Sequence, residues 1–181
     1  MNVDLQYPIG KLGEQTFTGK EPYTEEAKAA AIKEIIFLPQ LLENAVLNLD
    51  EAQLNTPYRP GGWTVKQLVH HVADSHMNAY FRFKLGLTEN NPTIKTYDEK
   101  AWAGLSDSEN IPINVSLTLL YTLHIRWVDI LNNIKNDEWD RTVFHPDQQR
   151  TITLWALLAI YAWHGKHHVA HITKLRERNN W

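Results

Sequence analysis

The sequence of 181 residues contains no cysteine. This absence excludes disulfide scaffolds, thiolate zinc sites, iron–sulfur clusters and a catalytic cysteine. Long hydrophobic runs are also missing, because the longest one, residues 154–163, falls well short of the roughly 20 residues that span a membrane. A net charge of -3 offers no general attraction for nucleic acid or anionic membranes. We therefore expect neither nucleic acid nor a membrane as a partner.

Histidine is what the sequence has in unusual number, with 9 His beside 7 Trp. The chain length suits one domain, since domains usually have roughly 100–200 residues, and residues 1–181 are interpreted as a single domain. The first residues lack a basic segment followed by an apolar one, which is the arrangement of a secretory signal. A cytoplasmic location is therefore the expectation.

Four segments have the apolar periodicity of amphipathic helices. They span about residues 24–49, 64–87, 114–134 and 153–178, and Pro39 is expected to kink the first segment or to reset its start. The connection over residues 88–112 is long enough to carry a short helix near residues 98–105. Residues 150–152 could pair briefly with residues 142–144. The pattern predicts an all-α four-helix bundle with short extra helices in the connections, a fold that builds its sites between facing helices.

Four histidines share one face of the last predicted helix. At 100° per residue, His164, His167, His168 and His171 project within or beside its apolar arc. Side chains four residues apart on a helix lie about 5–6 Å apart at Cβ, so two such imidazoles can hold one metal ion. This spacing occurs twice, as His164 with His168 and as His167 with His171. The pattern leaves the choice between the two pairs open.

The second predicted helix has a polar stripe that offers a third ligand. It covers about 100° of arc and consists of Thr64, Gln67, His71, Asp74, Ser75, Asn78 and Arg82. Three neutral imidazoles with an open coordination position are typical of catalytic zinc-type sites, and imidazole also binds nickel, copper and iron. We predict a three-histidine metal site between the two helices. The alternatives are core histidines with satisfied hydrogen bonds and, for the stripe, a solvated face.

A zincin metalloprotease is excluded by the residues beside these histidines. That motif places a glutamate directly after the first histidine as the general base. In this chain Gly165 follows His164, and His168 follows His167. Neither pair therefore has the required base.

Three stretches of the chain carry a family resemblance. They are LQYPIG near the start, TPYRPGGWTVKQLVHHVADSHMNAYFRFKLGLTE in the middle and YAWHGKHHVAHIT near the end. Together, in order and with similar spacing, they resemble the DinB-like superfamily and its YfiT-type metal-dependent hydrolases and bacillithiol S-transferases. The resemblance implies a DinB-like four-helix bundle, one divalent metal ion per subunit (zinc or nickel), a small-molecule substrate and a homodimer.

Carried over residue by residue, the resemblance implies that His71, His167 and His171 are the metal ligands. His164 and His168 would then be supporting or core residues beside the site. The stripe adds Asp74 as a catalytic candidate, to orient a ligand or act as a base, with a surface carboxylate as the alternative. Asn78 and Arg82 are candidates for binding a carboxylate-bearing substrate or cofactor, with an ordinary surface salt bridge as the alternative for Arg82.

Two reactions fit such a site. In the favoured one, the metal deprotonates a low-molecular-weight thiol such as bacillithiol, and the thiolate attacks an electrophile. In the alternative, hydroxide formed at the metal hydrolyses an ester, an amide or a similar bond. A third interpretation, from another functional class, is a non-catalytic metal-binding module of a stress response.

Overall fold

Four long helices form the frame of the molecule, whose structure, a computed structural model, describes residues 5–14 and 18–181. They are α1 (Glu25–Val46), α3 (Val65–Thr88), α6 (Ile113–Asn133) and α7 (Leu154–Asn179). The predicted four-helix bundle is confirmed, and the helix ends differ from the predicted ones by at most three residues. In the described ranges, no helix combines the length and the apolar character needed to cross a membrane.

Threonine residues fix where three of these helices begin. Thr24, Thr64 and Thr153 each accept a hydrogen bond from the backbone N–H three residues later. Such a cap satisfies a donor that has no partner in the first turn, and it contributes about 1 kcal/mol. At α3 the side chain of Gln67 also accepts from the backbone N–H of Thr64, which completes a capping box. The start of the helix that carries His71 is therefore well defined.

The expectation that Pro39 resets the start of α1 is wrong, because one helix runs through it. Proline has no backbone N–H, so it cannot donate to the carbonyl four residues before it. That carbonyl belongs to Ile35, and it accepts a hydrogen bond from Nδ1 of His124 on α6 instead, at 2.7 Å. A side chain of a neighbouring helix thus supplies the donor that the proline lacks.

Short elements fill the connections, as predicted. They are α2 (Glu51–Leu54), α4 (Glu99–Ala103), α5 (Ser106–Asn110), a 3-10 helix at Asn136–Asp140, and the strands β1 (Thr142–His145) and β2 (Arg150–Thr153). Asp98 caps α4, where a short helix was expected. The strands pair antiparallel with Phe144 opposite Thr151, which confirms the predicted pairing. β2 leads directly into α7 and so ties the hairpin to the bundle.

Two clusters of buried apolar side chains lie along the bundle, and the histidines fall between them. On α6, Trp127 belongs to the first cluster and Leu120 to the second, with His124 between them in the helix. On α7 the first cluster ends at Ala162, and the second begins at Ile172. The histidines of α6 and α7 therefore occupy the junction of the two clusters, whereas His71 of α3 lies among residues of the second.

Candidate metal centre

Three imidazoles converge between α3 and α7. His71 of α3 and His164 and His168 of α7 each offer one ring nitrogen, and these nitrogens all lie within 4.8 Å of one another. The ring centroids of His164 and His168 are 4.4 Å apart, and the His71 centroid lies 5.4 and 5.0 Å from theirs. Within residues 5–14 and 18–181, this is the only group of three such ligands with that spacing. We call it the histidine triad.

The structure does not group the expected set of His71, His167 and His171. It brings His71 together with His164 and His168, the pair that the resemblance had assigned to a supporting place. His167 and His171 form a pair of their own, with their Nε2 atoms 3.0 Å apart. Of the three expected ligands, only His71 belongs to the triad.

Helix geometry gives the physical reason. A step of three residues turns an α-helix by about 300°, so His167 points about 60° away from His164 around α7. Its ring stacks on Trp163 with a centroid distance of 4.4 Å, and the ring of His171 lies 4.1 Å from that of Tyr58. The rings of the second pair thus lie against these aromatic side chains and against His168, with centroid distances of 5.3 and 5.8 Å to the latter.

Burial keeps the triad neutral. It lowers the pKa of His71 to about 4, and it lowers the pKa values of His164 and His168 well below the ordinary 6.5, with neighbouring histidines adding to the effect. Desolvation disfavours the charged imidazolium, and the neutral ring is the form that binds metals. Three converging neutral nitrogens without a carboxylate among them fit a divalent cation that keeps its full charge.

A cavity of about 410 Å³ adjoins the triad. His164 is part of its wall, and so is Ser75 of α3, whose Oγ lies 3.4 Å from Nε2 of His164. Side chains of both charges and several hydroxyls line much of the remainder: Arg82, Thr96, Tyr97, Glu99, His145, Asp147, Arg150 and Tyr161. Cavities of this size are typical of sites for small molecules.

Arg82, one of the predicted substrate-binding residues, lies in the wall of this cavity. Its Nη1 donates to the hydroxyl of Tyr161 at 2.6 Å, and its Nη2 donates to the carbonyl of Lys95 at 3.5 Å. Its Nε is buried without a partner. Two hydrogen bonds therefore hold the side chain in place in the cavity wall.

Asp74 and Asn78 occupy a different environment. The amide of Asn78 donates to the carbonyl of Asp74 within α3, at 2.9 Å. Burial, together with the nearby negative charge of Asp107 on α5, raises the pKa of Asp74 to about 6. Among the described residues, no hydrogen bond joins Asp74 or Asn78 to the triad. Neither residue lines this cavity. Their predicted roles have no contact that supports them.

Glu99 is a cavity residue that the sequence did not point to. Partial desolvation raises its pKa, although the positive charge of Arg82 opposes that shift. It reaches the cavity because α4 packs on α3, where the side chain of Gln67 donates to the carbonyl of Ala103 at 2.9 Å. The sequence predicted a short helix near residues 98–105, which includes Glu99. It did not predict where this helix packs on α3.

Comparisons with known proteins show what the whole chain is similar to. The model of the DinB superfamily matches residues 34–172. Proteins of Bacillus cereus (strain AH820) and Bacillus anthracis (strain A0248), both named "Putative metal-dependent hydrolase", are 54% identical over 178 residues, or 98% of this chain and 99% of theirs. The structure of YfiT from Bacillus subtilis, described as "a probable metal-dependent hydrolase with an unusual four-helix bundle topology", superposes with a TM-score of 0.93 at 46% identity and covers 99% of each chain.

Proposed function

The chain belongs to the DinB superfamily and is a metal-dependent enzyme, and from this premise we propose the ligands and the reaction. His71, His164 and His168 hold one divalent metal ion, zinc or nickel. The enzyme transfers a low-molecular-weight thiol to an electrophilic small molecule. The observation that carries this proposal is the polar cavity that shares His164 with the triad.

The contribution of the bound metal would be to lower the pKa of a thiol or of water at its open coordination position. The protein supplies the rest. His164 belongs both to the triad and to the cavity wall, so a molecule bound in the cavity has access to the triad. The chain contains no cysteine, and the reacting sulfur therefore comes from a co-substrate.

The charges in the cavity support a polar thiol as that co-substrate. Arg82 and Arg150 place two guanidinium groups in the wall. Guanidinium groups bind carboxylates through paired hydrogen bonds. Glu99 and Asp147 in the same wall suit an ammonium group. A thiol with both carboxylate and amino groups, such as bacillithiol, matches this lining.

Hydrolysis is the second candidate, and Glu99 is the observation that favours it. Hydrolysis of an ester or an amide needs a group that gives a proton to the leaving atom. The raised pKa of Glu99 lets this carboxyl hold a proton closer to neutral pH than an unperturbed glutamate does. The names of the Bacillus relatives also favour this reaction.

The test compares the two reactions in one metal-loaded preparation. The protein is incubated with bacillithiol and monochlorobimane, and the conjugate is measured by fluorescence. A parallel assay uses a panel of esters and amides. Conjugation faster than the uncatalysed rate, and lost after chelation, supports thiol transfer. Metal-dependent turnover of the panel without conjugation replaces thiol transfer by hydrolysis. Metal binding with neither activity overturns both and leaves the non-catalytic module.

A further inference from the structure

A row of three histidines leads from the triad across the bundle to the backbone of α1. Nδ1 of His164 lies 3.4 Å from Nε2 of His76, and Nδ1 of His76 lies 3.0 Å from Nε2 of His124. Nδ1 of His124 lies 2.7 Å from the carbonyl oxygen of Ile35. The three rings belong to α7, α3 and α6. All four long helices therefore contribute to one hydrogen-bonded row, which we call the histidine relay.

At the Ile35 end of the relay, the donor and the acceptor of the hydrogen bond are fixed. A carbonyl oxygen can only accept a hydrogen bond, so Nδ1 of His124 must carry the hydrogen. This carbonyl needs a donor because Ile35 is fully buried and Pro39 lacks the N–H that would otherwise reach it within α1. The proline thus creates an acceptor that selects one tautomer of His124.

The tautomer of His124 determines the tautomers of the next two rings. A neutral imidazole has one donor and one acceptor nitrogen, so with Nδ1 of His124 donating, its Nε2 accepts from Nδ1 of His76. Nε2 of His76 then accepts from Nδ1 of His164. The remaining nitrogen of His164, Nε2, keeps its lone pair, and this is the atom that lies 3.1 Å from Nε2 of His168.

Burial preserves this order of donors and acceptors, because it keeps the rings neutral. A charged imidazolium would donate from both nitrogens and break the sequence of donors and acceptors. His76 is 0% exposed, and His124 is 3% exposed. Desolvation lowers the pKa of His124 to about 4, so the ring at the fixed end stays neutral at physiological pH.

We propose that His76 and His124 are positioning residues that set the tautomer and the ring orientation of His164 as a metal ligand. The inference rests on the proposed function, which assigns His164 to the metal. Ligand histidines often donate to a carboxylate, which brings a negative charge to the site. A relay of neutral rings orients the ligand without that charge, so the cation keeps its full power to acidify a bound thiol or water.

His70 provides a matched control on the same helix. It is a buried histidine of α3 whose ring nitrogens contact the hydroxyl of Ser116 at 2.8 Å and the carbonyl of Ile111 at 3.1 Å. It has the burial and the paired hydrogen bonds of a relay member, but its partners lead away from the triad. Its replacement therefore reports the general cost of losing a buried imidazole.

The first test reads the tautomer directly in metal-free wild-type protein. Long-range ¹H–¹⁵N correlation spectra distinguish a protonated Nδ1 from a protonated Nε2 in each neutral ring. The relay predicts Nδ1–H in His124, His76 and His164. A ring of His76 or His164 protonated at Nε2 would overturn the proposal, and this readout needs neither metal nor a variant.

The second test measures zinc affinity by competition with a chromophoric chelator. His76→Phe should weaken binding by about 10–100-fold, the range for lost outer partners of ligands. His76→Gln, whose amide oxygen can accept from His164, should restore most of it, and His70→Phe should bind like the wild type. If His164→Ala abolishes binding while His76→Phe does not change it, the relay is wrong. If His164→Ala binds normally, the proposed ligand set itself is wrong.

Discussion

Nε2 of His164 faces Nε2 of His168 at 3.1 Å, one turn apart on α7. Two neutral rings cannot direct lone pairs at each other over this distance unless a proton or a cation satisfies both. A proton would satisfy only two nitrogens, whereas His71 brings a third to the same place. A metal ion satisfies all three, and we therefore propose the triad as its site.

Arg82→Gln should weaken binding of the thiol co-substrate. Loss of a charge-assisted hydrogen bond of about 1.5–3 kcal/mol corresponds to a rise in KM for the thiol of roughly 10–100-fold. The kcat should change little, because the side chain binds the co-substrate and lies outside the triad. Steady-state kinetics with varied thiol measure both constants. Lys84→Gln, which removes an exposed cation of the same helix, is the control, and an equal rise in its KM would contradict the assignment.

Glu99→Gln separates the two candidate reactions. The amide keeps the shape of the side chain but cannot give up a proton to a leaving group. If the enzyme hydrolyses its substrate with Glu99 as the acid, kcat should fall by about 10²–10⁴-fold. Thiol transfer should keep its kcat and show only a higher KM for the thiol, because in that reaction Glu99 binds the ammonium group of the co-substrate. Unchanged hydrolysis in this variant would exclude Glu99 as the proton donor.

Asp74→Asn should stabilise the protein at neutral pH. The folded state raises the pKa of Asp74 from 3.8 to about 6, so between these values it binds more protons than the unfolded state, and stability falls as pH rises. With an allowance for partial solvent screening, the gain at pH 7 should be about 1 kcal/mol. At pH 4 the variant and the wild type should have the same free energy of unfolding.

Denaturant unfolding at pH 4 and pH 7 measures this difference. The exposed Asp129→Asn is the control, and it should behave like the wild type at both pH values. A variant at position 74 that is destabilised at pH 7 would show instead that the carboxylate makes a favourable contact.

The metal-free protein should lose stability as the solution is acidified. Burial lowers the pKa values of His71 and His124 to about 4, so the unfolded chain binds more protons below pH 6.5, and stability falls with pH. The unfolding midpoint should decrease between pH 6.5 and pH 4, as followed by circular dichroism. A flat profile over this interval would contradict burial of these rings in the neutral form.

Much of the frame could be predicted from the sequence, since apolar periodicity defines each long helix locally and capping threonines mark the start of three of them. His71 could also be predicted as a candidate, because it is the histidine in the polar stripe of α3. The choice between the pairs on α7 could not. His164 and His167 differ by about 60° around one helix, and the rotation of α7 against α3 depends on packing along both helices. The family resemblance pointed to His167 and His171, whereas the structure brings His164 and His168 closest to His71.

Local sequence patterns do not predict the relay or the cavity. His124 and Ile35 are 89 positions apart in sequence, and only the packing of α6 on α1 brings them together. Glu99 enters the cavity through the docking of α4 on α3, for which periodicity carries no signal. Such contacts depend on several helices at once, whereas helix ends depend on a few neighbouring residues.

The most direct test of the central claim is the metal content of single alanine variants, measured by inductively coupled plasma mass spectrometry after loading and gel filtration. The account predicts that His71→Ala, His164→Ala and His168→Ala lose the metal, whereas His167→Ala and His171→Ala keep it at the wild-type level. Retention in His164→Ala and His168→Ala together with loss in His167→Ala and His171→Ala would contradict the triad.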